Sequence, residues 1–288
     1  MPPHVNDSAS NDGESDIISR IYLIRHGDRF DYAHPLWLED ATNNNCLTTD
    51  PPLSELGHRQ AAETAKYMKM LCQKEHRSAP ANEDFNESQE HIHKILVSPY
   101  LRVIQTAVPT SVALGIPLQI ETGLSEAHAT PNVLPSSKER FAYFPQINTN
   151  YTPLLNVSAT PGYNCPKTQF PCEAFAGAYV QRLEEFASIL ERTYYGKSVV
   201  LFSHAASVAL VAALLRENMK SLKFAPCGIY YLERVDEGPW KLIRNGGSNS
   251  EYVKENSPTT YPWGFDDKHF KDNAFFNVDF DYFVQKES

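Results

Sequence analysis

Apolar residues in this chain form short unbroken runs, separated by longer stretches with helical spacing. Ile21-Tyr22-Leu23-Ile24 and Val199-Val200-Leu201-Phe202 are the clearest runs. Runs of this length, bounded by polar residues, mark strands covered on both faces. They predict strands at about 19–25 and at 198–203, with two more at Lys94–Ser98 and Pro117–Glu121. Between them, Ala61, Ala65, Met68 and Cys72 recur at helical spacing with Leu71 beside them. This predicts a helix from Ser54, a candidate cap, to about Glu75. A second helix is predicted from about Pro99 to Leu114, stopping at Gly115 and kinked or interrupted at Pro109. Helices at about Cys172–Tyr195 and 205–218 follow the same logic. Cys227–Arg234 and Trp240–Arg244 predict a hairpin across Asp236-Glu237-Gly238. Alternating strands and helices predict an α/β fold, a three-layer α/β/α sandwich with a mostly parallel central sheet.

The remaining segments are polar. Residues 1–17, dominated by Asn, Asp, Ser and Gly, are predicted to be disordered. Residues 26–53 and 76–92 read as loops. The long stretch 122–170, rich in Pro, Asn, Ser and Tyr, has two readings: a lid that selects substrate, or a packed surface excursion. The tail 245–288 is aromatic and acidic, either packing back on the body or docking a partner. The expected organisation is one domain over 18–288.

Bulk properties narrow the classes. The chain has 288 residues, 42% of them hydrophobic, enough for one sizeable core. A net charge of −9 and a pI near 5.6 disfavour direct binding to nucleic acid or to an anionic membrane. No apolar run is long enough for a membrane span, and the first residues lack the apolar segment of a secretory signal. Cys46, Cys72, Cys165, Cys172 and Cys227 are an odd set without a disulfide framework, read as reduced thiols in a cytoplasmic or nuclear protein. A Cys165–Cys172 pair is the alternative. None is followed by arginine at the spacing used by cysteine-dependent phosphatases.

The chemistry lies at the ends of the two apolar runs. One leads into Arg25-His26-Gly27, the other into Ser203-His204. Strands deliver reactive side chains to the carboxyl edge of a sheet in this way, where open α/β folds bind ligands. Two such histidines with nearby arginines suggest phosphoryl transfer, with a histidine nucleophile and cations around the phosphate. His91-Ile92-His93 is a possible metal pair, set aside because no further ligand set accompanies it.

Several separated motifs in chain order resemble the histidine phosphatase superfamily, which includes the cofactor-dependent phosphoglycerate mutases. They are Leu23-Ile24-Arg25-His26-Gly27, then Asp50-Pro51-Pro52-Leu53-Ser54-Glu55-Leu56-Gly57 with Gln60-Ala61, then Ser98-Pro99-Tyr100-Leu101-Arg102-Val103-Ile104-Gln105-Thr106-Ala107, then Gly123-Leu124-Ser125-Glu126, and finally Ser203-His204. The resemblance implies a phosphoglycerate mutase-like fold and a metal-independent, cofactor-free reaction through a phosphohistidine. His26 would be the nucleophile. Arg25, Arg29 and Arg102 would hold the phosphoryl oxygens, because a guanidinium fork binds two oxygens and stays charged. The start of the helix bearing Arg102 would add free backbone N–H groups. His204 would bind a phosphoryl oxygen. Glu126 would be the general acid, with His128 or Asp28 as substitutes. Ser98, Ser203 and Tyr32 would make secondary substrate contacts.

Departures from the family pattern narrow the branch. Mutases usually place Gln or Glu and then Thr or Ser after the Arg-His-Gly; here Asp28 and Arg29 stand there. Acid phosphatases and phytases share the arginine, but have His-Asp where this chain has His204-Ala205. Arg29 together with His204-Ala205 resembles the phosphatase domains of the suppressor-of-T-cell-receptor-signalling proteins and a related fungal subunit of RNA polymerase III factor IIIC. The expected activity is phosphomonoester hydrolysis, on a small molecule or a phosphoprotein, with a protein complex or homodimer possible. A phosphoglycerate mutase-type phosphotransferase and a scaffold subunit of a transcription complex are the alternatives. Phosphotyrosine peptides, sugar phosphates and nucleotides all remain open as substrates, with Tyr32, Trp37, Tyr143 and Phe144 as a candidate aromatic pocket.

Overall fold

The computed structural model describes residues 16–34, 36–44, 46–48, 50–78, 92–126, 134–155, 176–217 and 222–257. Six strands, β1 (Ile18–Arg25), β2 (Ile92–Val97), β3 (Leu118–Ile120), β4 (Ser198–Ser203), β5 (Ile229–Val235) and β6 (Lys241–Arg244), form one sheet in the order β3-β2-β4-β1-β5-β6. The first four in that order run parallel, and the β5–β6 hairpin joins antiparallel beside β1. This is the mostly parallel, phosphoglycerate mutase-like α/β fold. Alternation along each strand sends side chains to two separate cores. Tyr22, Ile24, Ile95, Val97, Val200 and Phe202 pack against Met68 of α3 (Glu55–Ser78) and Val103, Ile104 and Ala107 of α4 (Leu101–Leu114). Ile21, Leu23, Leu96, Val199 and Leu201 pack against Tyr179, Leu183 and Phe186 of α6 (Ala176–Thr193) and Val208 to Ala212 of α7 (Val208–Leu215).

Helix ends follow local chemistry. The Ser54 hydroxyl accepts from Gly57 N–H at 3.0 Å and caps α3. Gly115, at φ +69°, ends α4 in the left-handed conformation. Pro109 lies inside α4, which runs on past it to Leu114. The helix predicted over 205–218 splits: a 3₁₀ turn over Ala205–Ser207 precedes α7. The turn brings Ser207 back to His204, and Ser207 N–H donates to His204 C=O at 3.1 Å.

Three short helices interrupt stretches read as loop: α1 (Phe30–Ala33), α2 (Trp37–Asn43) and α5 (Ser137–Phe141). The last has a full capping box between Ser136 and Glu139. The described part of the 122–170 insert is stitched to the sheet edge. Leu118 N–H donates to Gln146 C=O at 2.9 Å, and Asn148 N–H returns to Leu118 C=O at 2.8 Å. The buried Glu121 carboxylate accepts from Gly123 N–H (3.0 Å), Leu154 N–H (2.7 Å), Leu155 N–H (3.2 Å) and Tyr151 Oη (2.7 Å). Residues 245–257 of the tail lie against α3, where Tyr252 stacks on Tyr67 with ring centroids 4.3 Å apart. The aromatic positions from Trp263 onward, Cys165, Cys172 and the first fifteen residues lie outside the described residues. Among the described residues, no helix is long and apolar enough to cross a membrane.

The two motif glycines, Gly27 and Gly57, lie back to back where the loop after β1 meets the start of α3. A Cβ on Gly57 would stand 2.2 Å from Asp28 O, and one on Gly27 2.8 Å from Gly57 O. Both neighbouring atoms are backbone, so neither clash can be relieved by a side-chain rotation. Gly57→Ala is therefore expected to lower unfolding free energy by about 2–3 kcal/mol, the cost of overpacking a tight contact. Urea titration of the two proteins checks this; an unchanged midpoint would contradict the close approach.

Candidate active site

Parallel pairing of β1 with β4 sets Arg25 level with Ser203. His26 and His204, the next residue on each strand, therefore fall side by side, their ring centroids 5.5 Å apart. Both are buried. His26 N–H donates to Ser203 C=O at 3.0 Å, tying the two strand ends together.

One ring contact decides the state of His26. Its Nδ1 lies 2.8 Å from Gly27 O. A carbonyl only accepts, so Nδ1 must carry the proton. Burial, then Arg102, Arg25 and His204, push the imidazole pKa well below its ordinary value. The ring is neutral, and Nε2 keeps an unprotonated lone pair.

Arg102 and Arg25 lie close enough to that ring to act on its charge. Arg25 is buried and donates to the Phe224 carbonyl; burial lowers its pKa to about 10, still far above neutrality. Arg102, in the first turn of α4, is almost fully buried. Its Nη2 lies 3.2 Å from His204 Nδ1 and 3.4 Å from Glu126 Oε2. Its Nε and Nη1 have no hydrogen-bond acceptor among the described residues, and Nη1 stands 4.0 Å from Asp50 Oδ1. Thr106 Oγ1 donates to Arg102 C=O at 2.7 Å and accepts from Gly27 N–H at 3.1 Å, coupling α4 to the His26 loop.

Glu126 completes the cluster. Its carboxylate lies 3.2 Å from His204 Nδ1, so guanidinium and carboxylate meet at one ring nitrogen. Burial alone would raise the Glu126 pKa, but His204, then Arg102 and His26, hold it well below the usual carboxylate range. Burial brings His204 down to about 4 against the opposing pull of Glu126. Its Nε2 is 2.8 Å from Ser98 Oγ.

Arg29 is tied more loosely to this centre. Asp31 takes its Nε at 3.0 Å and its Nη2 at 2.6 Å, while Nη1 donates to Tyr32 Oη at 3.1 Å. The guanidinium also lies 4.4 Å over the Tyr32 ring.

Several expectations are corrected. The Ser203 hydroxyl does not face the cluster: it donates to Leu124 C=O at 2.9 Å and meets Ser207 Oγ at 2.6 Å, fully buried behind His204. Three of the N–H groups at the start of α4 are engaged rather than free for an anion. Leu101 N–H donates to Asp50 Oδ1 at 2.8 Å, and those of Val103 and Ile104 go to Tyr100 C=O. Asp28 is no substitute acid, because its carboxylate accepts from Ser54 Oγ at 2.7 Å and from Ser257 Oγ. Trp37, Phe144 and Tyr143 line no common pocket: Trp37 Nε1–H donates to Thr48 C=O, Phe144 packs on the α4 core, and Tyr143 is solvent-exposed. His93 lies at the amino end of β2, the opposite edge from His26; His91 and His128 lie outside the described residues.

Two residues escaped the sequence reading. Arg182 on α6, fully buried, donates to Gly123 C=O at 2.5 Å, Ser125 C=O at 3.0 Å and Glu126 C=O at 3.4 Å. It holds the backbone that carries Glu126. An arginine on the apolar stripe of Tyr179, Leu183 and Phe186 was the available signal. Asp50 joins Leu101 N–H, Arg102 and Arg140 at one carboxylate, fixing the approach of Arg102.

A group whose folded pKa is depressed below its unfolded value favours folding least in acid. For His204 the window runs from about 6.5 down to about 4, and stability is lost as pH falls through it. The wild type is expected to lose roughly 3 kcal/mol over that window through the His204 site. His204→Asn should lose correspondingly less in urea titrations at pH 7.5 and 4.5; equal losses would contradict a buried neutral imidazole.

With the geometry in hand, comparison with known proteins is direct. The histidine phosphatase superfamily (branch 1) matches residues 21–245, and the chain belongs to that superfamily. No curated protein matches it in sequence. Among solved structures, the ecdysone phosphate phosphatase of Bombix mori, bound to tungstate, aligns at TM-score 0.55 and 19% identity, covering 88% of this chain and 99% of that one. A mycobacterial glucosyl-3-phosphoglycerate phosphatase aligns at TM-score 0.46 and 18% identity, covering 80% and 100%. At 19% identity, the likeness to the Bombix mori phosphatase is one of fold.

Proposed function

We propose that the chain hydrolyses phosphomonoesters through a phosphohistidine at His26 Nε2. The observation that carries this reading is the Nδ1–H contact to Gly27 O, which leaves Nε2 as a neutral nucleophile amid buried guanidinium groups. Membership in the histidine phosphatase superfamily supports it. The incoming phosphoryl group is a dianion, and Arg25, Arg102 and His204 would take its oxygens and offset charge gathering in the transition state. Arg29 would join them by exchanging part of its Asp31 and Tyr32 contacts. Ser98 would orient His204 rather than touch substrate.

Glu126 has a role that follows from its place. Its carboxylate sits on the same Arg102 and His204 groups that the phosphate would claim. A bound dianion displaces it, and the carboxyl, no longer held by those cations, takes up a proton. As Nε2 bonds to phosphorus and the P–O bond to the leaving group breaks, Glu126 protonates the departing oxygen. Water then attacks phosphorus, Glu126 accepts its proton, the P–Nε2 bond breaks and phosphate leaves. No step in this sequence calls on a metal or an organic cofactor.

The pairing of Arg29 with His204-Ala205 carries the proposed kinship with the suppressor-of-T-cell-receptor-signalling phosphatase domains and the factor IIIC subunit. We assign the insert 122–170 and α1–α2 the choice among phosphoproteins and metabolites, since both flank the cluster in the chain.

Wild-type protein is expected to hydrolyse p-nitrophenyl phosphate in the presence of EDTA, and His26→Ala to lose at least about 10³-fold in kcat while keeping its unfolding midpoint. Turnover retained by His26→Ala would sink the mechanism, and turnover only after a bisphosphate is added would identify a mutase. Glu126→Gln should slow alkyl phosphates by about 10²-fold or more, and aryl phosphates far less, because a poor leaving group needs the proton most. Equal losses would remove Glu126 from the acid role.

A further inference from the structure

The chain past β6 packs against a turn that holds the active-site strand. Residues 224–228 form a tight turn directly behind the active-site strand. Arg25 donates to Phe224 C=O, and Cys227 N–H donates to Arg25 C=O at 3.1 Å and to His26 C=O at 3.3 Å. Arg25 N–H in turn donates to Gly228 C=O at 3.3 Å. The turn thus grips both the guanidinium and the backbone of the Arg25-His26 pair. It does so in a conformation its residues resist, because Cys227 has φ +57°, in the left-handed region that favours glycine. Such a conformation persists only where the surroundings over-determine it.

The surroundings here are residues 246–257. Ala225 N–H donates to Gly246 C=O at 3.0 Å, Asn249 Nδ2 to Pro226 C=O at 2.6 Å, and Tyr252 Oη to Cys227 C=O at 2.7 Å. Asn249 and Val253 are buried. Farther along, Glu255 C=O accepts from Gln60 Nε2 at 3.0 Å, the same Gln60 whose Oε1 accepts from Asp28 N–H at 2.9 Å. Ser257 Oγ donates to the Asp28 carboxylate. The segment therefore holds the His26 loop from two sides, at Cys227 and at Asp28. The Tyr252 ring is clamped in turn by Tyr67 and by Arg244, whose guanidinium lies 5.3 Å from its centroid. Residues 246–257 themselves lie beyond residue 245, where the superfamily match ends, although the groups they hold lie within it.

We propose that residues 246–257 form a strap that positions the active site: through Asn249 and Tyr252 it fixes the 224–228 turn, and through that turn the Arg25 guanidinium and the His26 ring. Tyr252 is a positioning residue, remote from the reacting atoms. The proposal rests on the reading of Arg25 and His26 as the phosphate-binding pair.

Two hydroxyl deletions on one aromatic stack test it in the full chain. Tyr252→Phe removes the bond to Cys227 and keeps the ring. Tyr67→Phe removes bonds to Arg244 (2.7 Å) and Glu251 (3.3 Å) on the same stack, but keeps the ring stacked on Tyr252 and removes no hydrogen bond to the turn. The readouts are the affinity for inorganic phosphate, the NMR signal of the His26 Nδ1 proton, and kcat and KM for p-nitrophenyl phosphate. Tyr252→Phe is expected to weaken phosphate binding about fivefold to tenfold, shift the His26 signal and lower kcat/KM by a similar or larger factor. Tyr67→Phe is expected to match wild type in all three. Wild-type behaviour of Tyr252→Phe, or equal losses in both variants, would overturn the strap as a positioning device. If wild type binds phosphate without turnover, the hydrolase reading fails alone, and phosphate affinity with the His26 signal still decides the strap. If wild type binds no phosphate, both fall.

Discussion

Alignment of β1 with β4 is the constraint on which the rest of the molecule depends. Two parallel strands, far apart in sequence, pair with Arg25 opposite Ser203, and the histidines that follow them share one sheet edge. Because the side-chain period of a strand is two, a slip of one residue would turn each histidine and its neighbours to the opposite faces. The neighbouring parallel strands contribute in the same sense. β2 runs into Ser98 and then Arg102, and β3 into Glu121 and then Glu126. Four adjacent strands thus deliver the candidate residues from their carboxyl ends.

Gathering buried cations at that edge requires counter-charges that can be given up. Arg102 is met by Glu126 and Asp50, and Arg29 by Asp31. Burial disfavours the charged form of each imidazole, so both histidines remain neutral while the guanidinium groups stay charged. Charged guanidinium groups beside neutral imidazoles are what the proposed reaction would need for a dianion. Much of the fold serves to keep these groups in place. Thr106, Gln60, Gln105, Ser54 and the paired glycines bind loop backbone to helix ends, and Arg182 does the same for the segment carrying Glu126.

The strands and long helices were legible because continuous apolar runs and helical spacing report directly on two-sided burial. The β4 run and the end of α4 at Gly115 are cases where local chemistry alone sets the boundary. Short helices such as α1 and α2 carry too few residues for periodicity to register. At the site, arginines and histidines at strand ends could be read from chain order. The hydroxyls could not, since Ser98 reaches His204 while Ser203 turns to Leu124, and only the three-dimensional neighbours decide which. Asp50 stood in a recognised motif, but its hold on Leu101 N–H, Arg102 and Arg140, like the grip of Arg182 on backbone carbonyls, joins groups distant in sequence that no local spacing announces. The bonding of residues 245–257 to the turn behind His26 was equally hidden, because Tyr252 and Asn249 act through carbonyl groups that any sequence would supply.

The central claim is that Nε2 of His26 becomes covalently bonded to phosphorus. The most direct test is rapid alkaline quench of the enzyme during turnover of a labelled phosphomonoester, followed by phosphorus NMR and peptide mapping of the trapped adduct. The account predicts an acid-labile, base-stable phosphohistidine on His26, bonded through Nε2 because Nδ1 is committed to Gly27. Label on Nδ1 or on another residue, or turnover with no trapped adduct in the Glu126→Gln variant where hydrolysis should be slowed, would contradict it.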